Sequence, residues 1–254
     1  MDYDLSAGEY AAHRQTHTGV LRELEDGGAL GPGSTALEVG CGTGSYISAL
    51  AGRSGCLAYG LDPSAGMLAH ALARPEPVTW VRGRAEELCF TACSFDLVFS
   101  VDVIHHVAGK QAFYHEAART LRPGGSICTV TDSEEIIRRR EILSGYFPET
   151  VALELERYPR IAQLKEWQVS AGLQETEVVL VEQALDLTSA RAFRAKAYSS
   201  LHLISEEAWR AGLERLERDL EKGPIPSTVR YACVWSRKPR ARGSPISRRE
   251  SIGI

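Results

Sequence analysis

The sequence predicts an α/β fold: a doubly wound, mostly parallel seven-stranded sheet with helices on both faces and extra helices after strands five and six. Three observations predict it. Segments typical of strands and of helices alternate over residues 35–131, a glycine cluster follows the first strand, and 44% of the 254 residues are hydrophobic, enough for a large core. The predicted strands are 35–39, 56–61, 78–82, 95–101, 126–131, 177–185 and 229–236.

The predicted helices connect these strands. Ser6 as N-cap, with Glu9 three residues later, is typical of a capping box and predicts a first helix over 6–24. The string Arg122-Pro123-Gly124-Gly125 predicts a turn between the helix that precedes it and strand five. The other predicted helices are 45–51, 63–73, 110–121, 133–143, 159–172 and 189–222, the last of them broken near residues 199–200.

Charge divides the chain into an acidic body and a basic end. The net charge is −4, and residues 237–254 carry +5, so residues 1–236 carry −9. An acidic surface is a poor match for phosphates, and we therefore expect no nucleic-acid partner. The basic end, interrupted by Gly243 and Pro245, is predicted to be a disordered tail.

Two further features concern location and metal. No apolar run reaches the ~18–20 residues of a membrane-spanning helix, and the acidic start Met1-Asp2-Tyr3-Asp4 is unlike a signal peptide. We therefore expect a cytoplasmic protein with no membrane span. The six cysteines form no CxxC pair and have no histidine at zinc spacing, so no metal site is predicted.

The glycine cluster is the most informative string. Strand one runs into Gly40-Cys41-Gly42-Thr43-Gly44 and then into a helix, and glycines allow a tight turn and close approach to a ligand. A dinucleotide fingerprint would have glycine where Ser45 stands, which disfavours a pyrophosphate ligand. Asp62 ends the next strand, where a carboxylate can accept both hydroxyls of an adenosine ribose.

Four more strings follow this loop in order: residues 61–68 (LDPSAGML), 83–88 (GRAEEL), 95–107 (FDLVFSVDVIHHV) and 121–125 (LRPGG). Together with the loop they resemble class I S-adenosylmethionine-dependent methyltransferases, in particular the small-molecule group with ubiquinone- and menaquinone-type members. The resemblance covers residues 34–132. It implies a Rossmann-like methyltransferase fold, S-adenosyl-L-methionine as cofactor, and one domain over 1–236 with substrate-side helices at 133–172 and 186–222.

The resemblance also implies roles for single residues. Glu38 would engage the methionyl ammonium of the cofactor, and Arg14 its carboxylate. Met67 would cover the adenine, while Ala85 and Glu86 would meet the adenine edge. The cofactor-binding residues that it implies are Tyr10, Arg14, Glu38, Gly40, Cys41, Gly42, Gly44, Asp62, Pro63, Met67, Ala85, Glu86, Ser100, Val101 and His105.

Methyl transfer from a sulfonium is an in-line displacement, so the protein mainly aligns the acceptor and excludes water. A carboxylate acceptor needs no base, whereas a neutral hydroxyl does. Strands four and five are neighbours in the expected order, which brings His105, His106 and Asp132 to one pocket. We expect one of the histidines, oriented by Asp132, to be the base. Packing or cofactor contact remains an alternative role for both.

The sequence therefore predicts a methyltransferase that acts on a small-molecule acceptor, at oxygen and without a metal, as a monomer or homodimer. Aromatic residues of the later helices, Trp167, Phe193, Tyr198 and Trp209, are candidates for the acceptor pocket. Three alternatives stay open: methylation of a peptide, a non-catalytic S-adenosylmethionine-binding module, and a nicotinamide oxidoreductase with an atypical glycine loop.

Overall fold

The computed structural model of the chain describes residues 16–240. Its seven strands form a single sheet in the order β3-β2-β1-β4-β5-β7-β6. Strands β1 to β5 are parallel, and β7 runs antiparallel to both of its neighbours. This confirms the predicted seven-stranded, mostly parallel sheet. The strands are β1 (Thr35–Val39), β2 (Leu57–Asp62), β3 (Val78–Arg82), β4 (Phe95–Val101), β5 (Leu121–Thr131), β6 (Gln174–Ala184) and β7 (Thr228–Arg237).

Helices cover the sheet and extend beyond it. They are α1 (Thr18–Gly27), α2 (Ser45–Ser54), α3 (Ala65–Ala71), α4 (Lys110–Thr120), α5 (Glu134–Arg139), α6 (Leu143–Tyr146), α7 (Glu149–Arg157), α8 (Ile161–Ser170), α9 (Arg191–Arg194) and α10 (Glu206–Leu220). Two 3₁₀ turns lie at Ile104–His106 and Ser199–His202. Helix α7 was not predicted; the residues that it buries are the polar Thr150 and Glu154, while its spaced apolar residues Val151 and Leu155 are partly buried.

The predicted first helix, 6–24, is confirmed over residues 18–24 and is wrong at Thr16 and His17; residues 6–15 lie outside the described part. Helix α1 begins only at Thr18, because His17 is extended and serves as its N-cap. The ring of His17 accepts a hydrogen bond from the Val20 backbone N–H, and its own backbone N–H donates to the Tyr46 hydroxyl. The predicted capping box at Ser6 and Glu9 lies outside the described residues, as do Tyr10 and Arg14.

Strand β5 starts five residues before the predicted position, at Leu121. The Gly124 N–H donates to the Lys238 carbonyl at 2.9 Å, and the Lys238 N–H donates to the Gly125 carbonyl at 2.8 Å. The predicted turn is therefore part of the sheet. The same bonds correct the predicted start of the tail at residue 237. Strand β7 runs to Arg237, and the next residues, 238–240, pack beside the start of β5. Residues 241–254 lie outside the described part.

Both faces of the sheet are buried. Leu97 and Phe99 of β4 pack with α1 and α2 on one face, and Val98 packs with α4 and α8 on the other. The strand order reverses between β1 and β4, so the crevice at their carboxyl ends is where a ligand is expected in such a sheet. A third apolar cluster joins α6, α9 and α10 beyond the sheet. Within residues 16–240, no helix combines the length and apolar character needed to cross a bilayer.

The third cluster offers a stability test. A Cβ on Gly212 in α10 would lie 2.5 Å from the Phe147 ring, whereas one on Gly145 in α6 would meet no atom within 4 Å. Alanine favours a helix by about 1 kcal/mol over glycine, but overpacking costs about 1–3 kcal/mol. We expect Gly212→Ala to lower the free energy of unfolding in urea and Gly145→Ala to raise it slightly. A Gly212→Ala protein as stable as wild type would contradict this packing.

Candidate active site

The glycine loop connects β1 to α2 in a conformation that only glycine adopts easily. Gly40 and Gly44 have φ values of 72° and 75°. A Cβ on Gly44 would lie 2.2 Å from the Trp80 ring, and one on Gly40 would lie 2.5 Å from Val103. The Gly40 N–H donates to the Leu61 carbonyl at 2.7 Å. The loop is thus packed and hydrogen-bonded against the end of β2.

Asp62 at the end of β2 joins two loops. Its Oδ2 accepts a hydrogen bond from the Gly42 N–H at 2.8 Å, and its Oδ1 accepts one from the Ser64 N–H at 2.9 Å. The side chain is buried and lines the cavity described below. A carboxylate has about four acceptor positions, so hydrogen bonds to two backbone donors are compatible with further bonds to ligand hydroxyls.

Two other side chains, those of Glu38 and Arg74, form hydrogen bonds with the loop or with the helix that follows it. Glu38 is buried, and its Oε2 accepts a hydrogen bond from the Ile47 N–H in the first turn of α2 at 3.0 Å. The guanidinium of Arg74, which the sequence analysis missed, donates to the Thr43 carbonyl and to the Ser45 hydroxyl, both at 2.6 Å. Its position after α3 carries no motif that would have identified it.

A cavity of about 1260 Å³ opens at the carboxyl ends of the strands. Ligand pockets usually measure about 300–1,000 Å³, so this one has room for a cofactor and a second small molecule. The predicted site residues in its wall are Gly40, Gly42, Asp62, Pro63, Met67, Ala85, Glu86, His105, His106 and Asp132. The predicted residues that do not line it are Glu38, Cys41, Gly44, Ser100 and Val101.

Glu86 also connects two segments. Its Oε1 accepts hydrogen bonds from the Ala108 N–H at 3.1 Å and the Gly109 N–H at 3.2 Å, just before α4. Burial favours a higher pKa for Glu86, but its backbone hydrogen bonds and the charge of Arg84 lower the pKa overall. Glu86 is therefore held as a carboxylate at the rim of the cavity.

His105 lies in a fixed position directly after β4. The Oδ1 of Asp102 lies 3.9 Å from Nδ1 of His105, and the Tyr158 hydroxyl donates to the same oxygen at 3.0 Å. The Tyr158 ring stacks on the imidazole with a centroid separation of 3.9 Å and an angle of 16°. Asp102 has a φ of 58°, a strained value for a residue other than glycine that often marks functional sites.

The predicted orientation of a histidine by Asp132 needs correction. Asp132 forms an ion pair with Arg140, which also pairs with Glu154, while the carboxylate beside His105 is that of Asp102. The sequence analysis missed Asp102, although an acid three residues before His105 at a strand exit is a detectable signal. Burial raises the pKa of Asp132 to about 7; Arg140 opposes the rise, and the charges of Asp102 and Glu154 add to it.

Apolar side chains form another part of the cavity wall. Phe193 and Tyr198 stack with their ring centroids 5.0 Å apart, and both line the cavity as predicted. Trp167 and Trp209 do not line it: Trp167 packs against the sheet, and Trp209 donates its indole N–H to the Phe193 carbonyl. Within residues 16–240, no three His, Cys, Asp or Glu side chains are grouped so as to hold a metal ion.

Comparison with known proteins agrees with this geometry. The methyltransferase domain family matches residues 37–129, which contain the glycine loop and Asp62. The chain is 25% identical to a crystal structure described as a methyltransferase from an antibiotic biosynthesis pathway of Anabaena variabilis, with a TM-score of 0.66, covering 85% of this chain and 96% of that one. The chain therefore contains a methyltransferase domain, and the protein is an S-adenosylmethionine-dependent methyltransferase.

Two sequence relatives match different shares of the chain. A malonyl-[acyl-carrier protein] O-methyltransferase of Hahella chejuensis is 28% identical over 251 residues, which are 92% of this chain and 86% of that protein. A ubiquinone biosynthesis O-methyltransferase of Rhizobium etli is 36% identical over 103 residues, which are 39% of this chain and 41% of that protein. The likeness to the first relative thus covers most of the chain, and the likeness to the second covers 103 residues.

The pKa of Asp132 leads to a test by pH. Because the folded-state pKa of about 7 lies above the ordinary value of 3.8, the native state binds more protons than the unfolded state between these pH values. The free energy of unfolding therefore falls as the pH rises through this window, by at most about 1.4 kcal/mol per pH unit. We expect denaturant titrations of Asp132→Asn to show a shallower fall between pH 4 and 7. Parallel curves for the two proteins would show that the carboxyl titrates normally.

Proposed function

We propose that this methyltransferase transfers the methyl group of S-adenosylmethionine to an oxygen atom of a small-molecule acceptor, with His105 as the base. The observation that carries the proposal is one cavity that joins Asp62 and the glycine loop to the Asp102–His105 pair and then to an apolar wall. Both relatives named above are O-methyltransferases, which supports oxygen as the acceptor atom.

The residues of the cofactor side fit an adenosyl cofactor. Asp62 would accept the ribose hydroxyls, and the loop from Gly40 to Gly44 would lie against the aminoacyl tail. Met67, buried at the start of α3, would pack on the adenine. When bound, the cofactor supplies an activated methyl group on a sulfonium. The chain itself then has to hold the acceptor in line and move one proton.

The Asp102–His105 pair supplies the proton acceptor. With Asp102 facing Nδ1, the imidazole would take the acceptor's hydroxyl proton on Nε2, and the carboxylate would stabilise the resulting imidazolium. Tyr158 fixes both partners, because its ring covers His105 and its hydroxyl binds Asp102. Asp132 lies in the same wall, but its carboxylate is held by the ion pair with Arg140.

Substitution at the two histidines tests this role. His105 is stacked and almost fully buried, whereas His106 is exposed. We expect His105→Ala to lower kcat by about 10²- to 10⁴-fold, as removal of a general base does, and His106→Ala to change it little. Asp102→Asn should lower kcat less than His105→Ala. Turnover is measured on a panel of small hydroxylated and carboxylated compounds, with product analysis for the methylated atom.

Calorimetry shows whether a substitution affects the base alone or also the binding of the cofactor. Each variant should bind S-adenosylhomocysteine with wild-type affinity, because all three keep Asp62 and the glycine loop, to which the proposal assigns cofactor binding. If His105→Ala and His106→Ala both keep normal turnover, the base assignment is wrong. Binding of the sulfur cofactors without turnover on any acceptor would favour a non-catalytic module, and stabilisation by NAD alone would favour an oxidoreductase. The cytoplasmic location, the oligomeric state and a peptide acceptor stay predictions.

A further inference from the structure

One arginine in the cavity wall has a polar atom that the described chain does not satisfy. Arg157 ends α7 and is partly buried. Its Nη2 donates to the Ser199 hydroxyl at 3.2 Å, while its Nη1 is buried and has no hydrogen-bond partner within residues 16–240. No carboxylate in that part of the chain pairs with it. The positive charge of this guanidinium thus has no anion beside it among the described residues, and an anion that enters the cavity next to it would be stabilised.

The other arginines in the same wall show that Arg157 lacks a carboxylate partner. Each of the following has a carboxylate within ion-pair distance: Arg84 with Glu86, Arg140 with Asp132 and Glu154, and Arg230 with Glu141 and Glu182. Arg191 also lines the cavity, but it is exposed and can be solvated by water. Arg157 therefore differs from the rest in being partly buried and lacking an anion among the described residues.

We infer that Arg157, together with the Ser199 hydroxyl, binds an oxyanion of the methyl acceptor, a carboxylate or a phosphate. Guanidinium groups pair well with both oxyanions because their N–H groups form a planar fork. The inference rests on the proposed function, since it concerns the acceptor end of the same cavity. The inference adds to the proposed function that the acceptor carries an acidic group.

The surroundings of Arg157 define the rest of the acceptor. Tyr198 directly precedes Ser199 and stacks on Phe193, so an apolar or aromatic surface lies beside the anion site. Asp102, Asp132 and Glu154 surround Arg140 in the same wall and compensate its charge, so Arg140 is not available to an anion. Glu154 lies one helical turn before Arg157 on α7, but its ion pair is with Arg140. An apolar molecule with one oxyanion would therefore bind with that group at Arg157.

Three naphthalene compounds test the site without knowledge of the natural acceptor. They are 2-naphthoate, 2-naphthyl phosphate and the neutral 2-naphthamide, titrated by calorimetry into protein loaded with S-adenosylhomocysteine. We expect at least one anion to bind the wild-type protein about 10- to 100-fold more tightly than the amide, as expected for a charge-assisted hydrogen bond. The anion that is preferred distinguishes a carboxylate acceptor from a phosphate acceptor.

Variants test whether Arg157 causes the preference for an anion over the neutral amide. Arg157→Gln should remove the preference, because it weakens the binding of the anion and leaves the binding of the amide unchanged. Arg157→Lys should keep part of the preference because the charge remains. Arg191→Gln is the matched control, an exposed arginine of the same wall, and should keep all of it. Unchanged affinity for S-adenosylhomocysteine and an unchanged Tm show that each variant is folded.

Two results overturn the inference: an anion preference that survives in Arg157→Gln, or a wild-type protein that binds neither anion more tightly than the amide. Neither result affects the proposed methyl transfer, which depends on cofactor binding and on the His105 variants.

Discussion

The Asp62 carboxylate is the constraint on which the site depends. It accepts hydrogen bonds from Gly42 in the loop after β1 and from Ser64 at the N-cap of α3, so one side chain fixes two loops on neighbouring strands. The loop can take this path because Gly40 and Gly44 adopt positive φ values against Val103 and Trp80. In the proposed function, cofactor recognition and loop geometry therefore depend on the same few atoms, and both would change if the carboxylate moved.

The acceptor side is built in a different way. Its polar groups come from the exits of β4 and β5 and from helices far along the chain, and Arg140 and Tyr158 connect them. The buried carboxylates outnumber the arginine that they surround, which is why burial and mutual repulsion raise the pKa of Asp132. Arg157 lies one helical turn after Glu154 in the same wall but has no carboxylate within ion-pair distance among the described residues.

Sequence patterns predicted the core better than the acceptor side, for physical reasons. Strands β1, β3 and β4 were predicted to the residue, because β1 and β4 are apolar runs buried on both faces and the segments have clear turn signals at their ends. The glycine loop and Asp62 have local spacing that is visible in one sequence. Helix α7 was missed, and the side chains that it buries are the polar Thr150 and Glu154. The pairing of Asp132 with Arg140 depends on packing, which spacing does not report, whereas Asp102 stands three residues before His105 and was a local signal in the sequence.

A crystal structure of the protein with S-adenosylhomocysteine tests the central claim most directly. The account predicts both ribose hydroxyls within hydrogen-bond distance of the Asp62 carboxylate, with the aminoacyl tail against the loop from Gly40 to Gly44. It also predicts that the sulfur faces the part of the cavity that contains His105. A ligand bound elsewhere, or an Asp62 side chain turned away from the ribose, would contradict it.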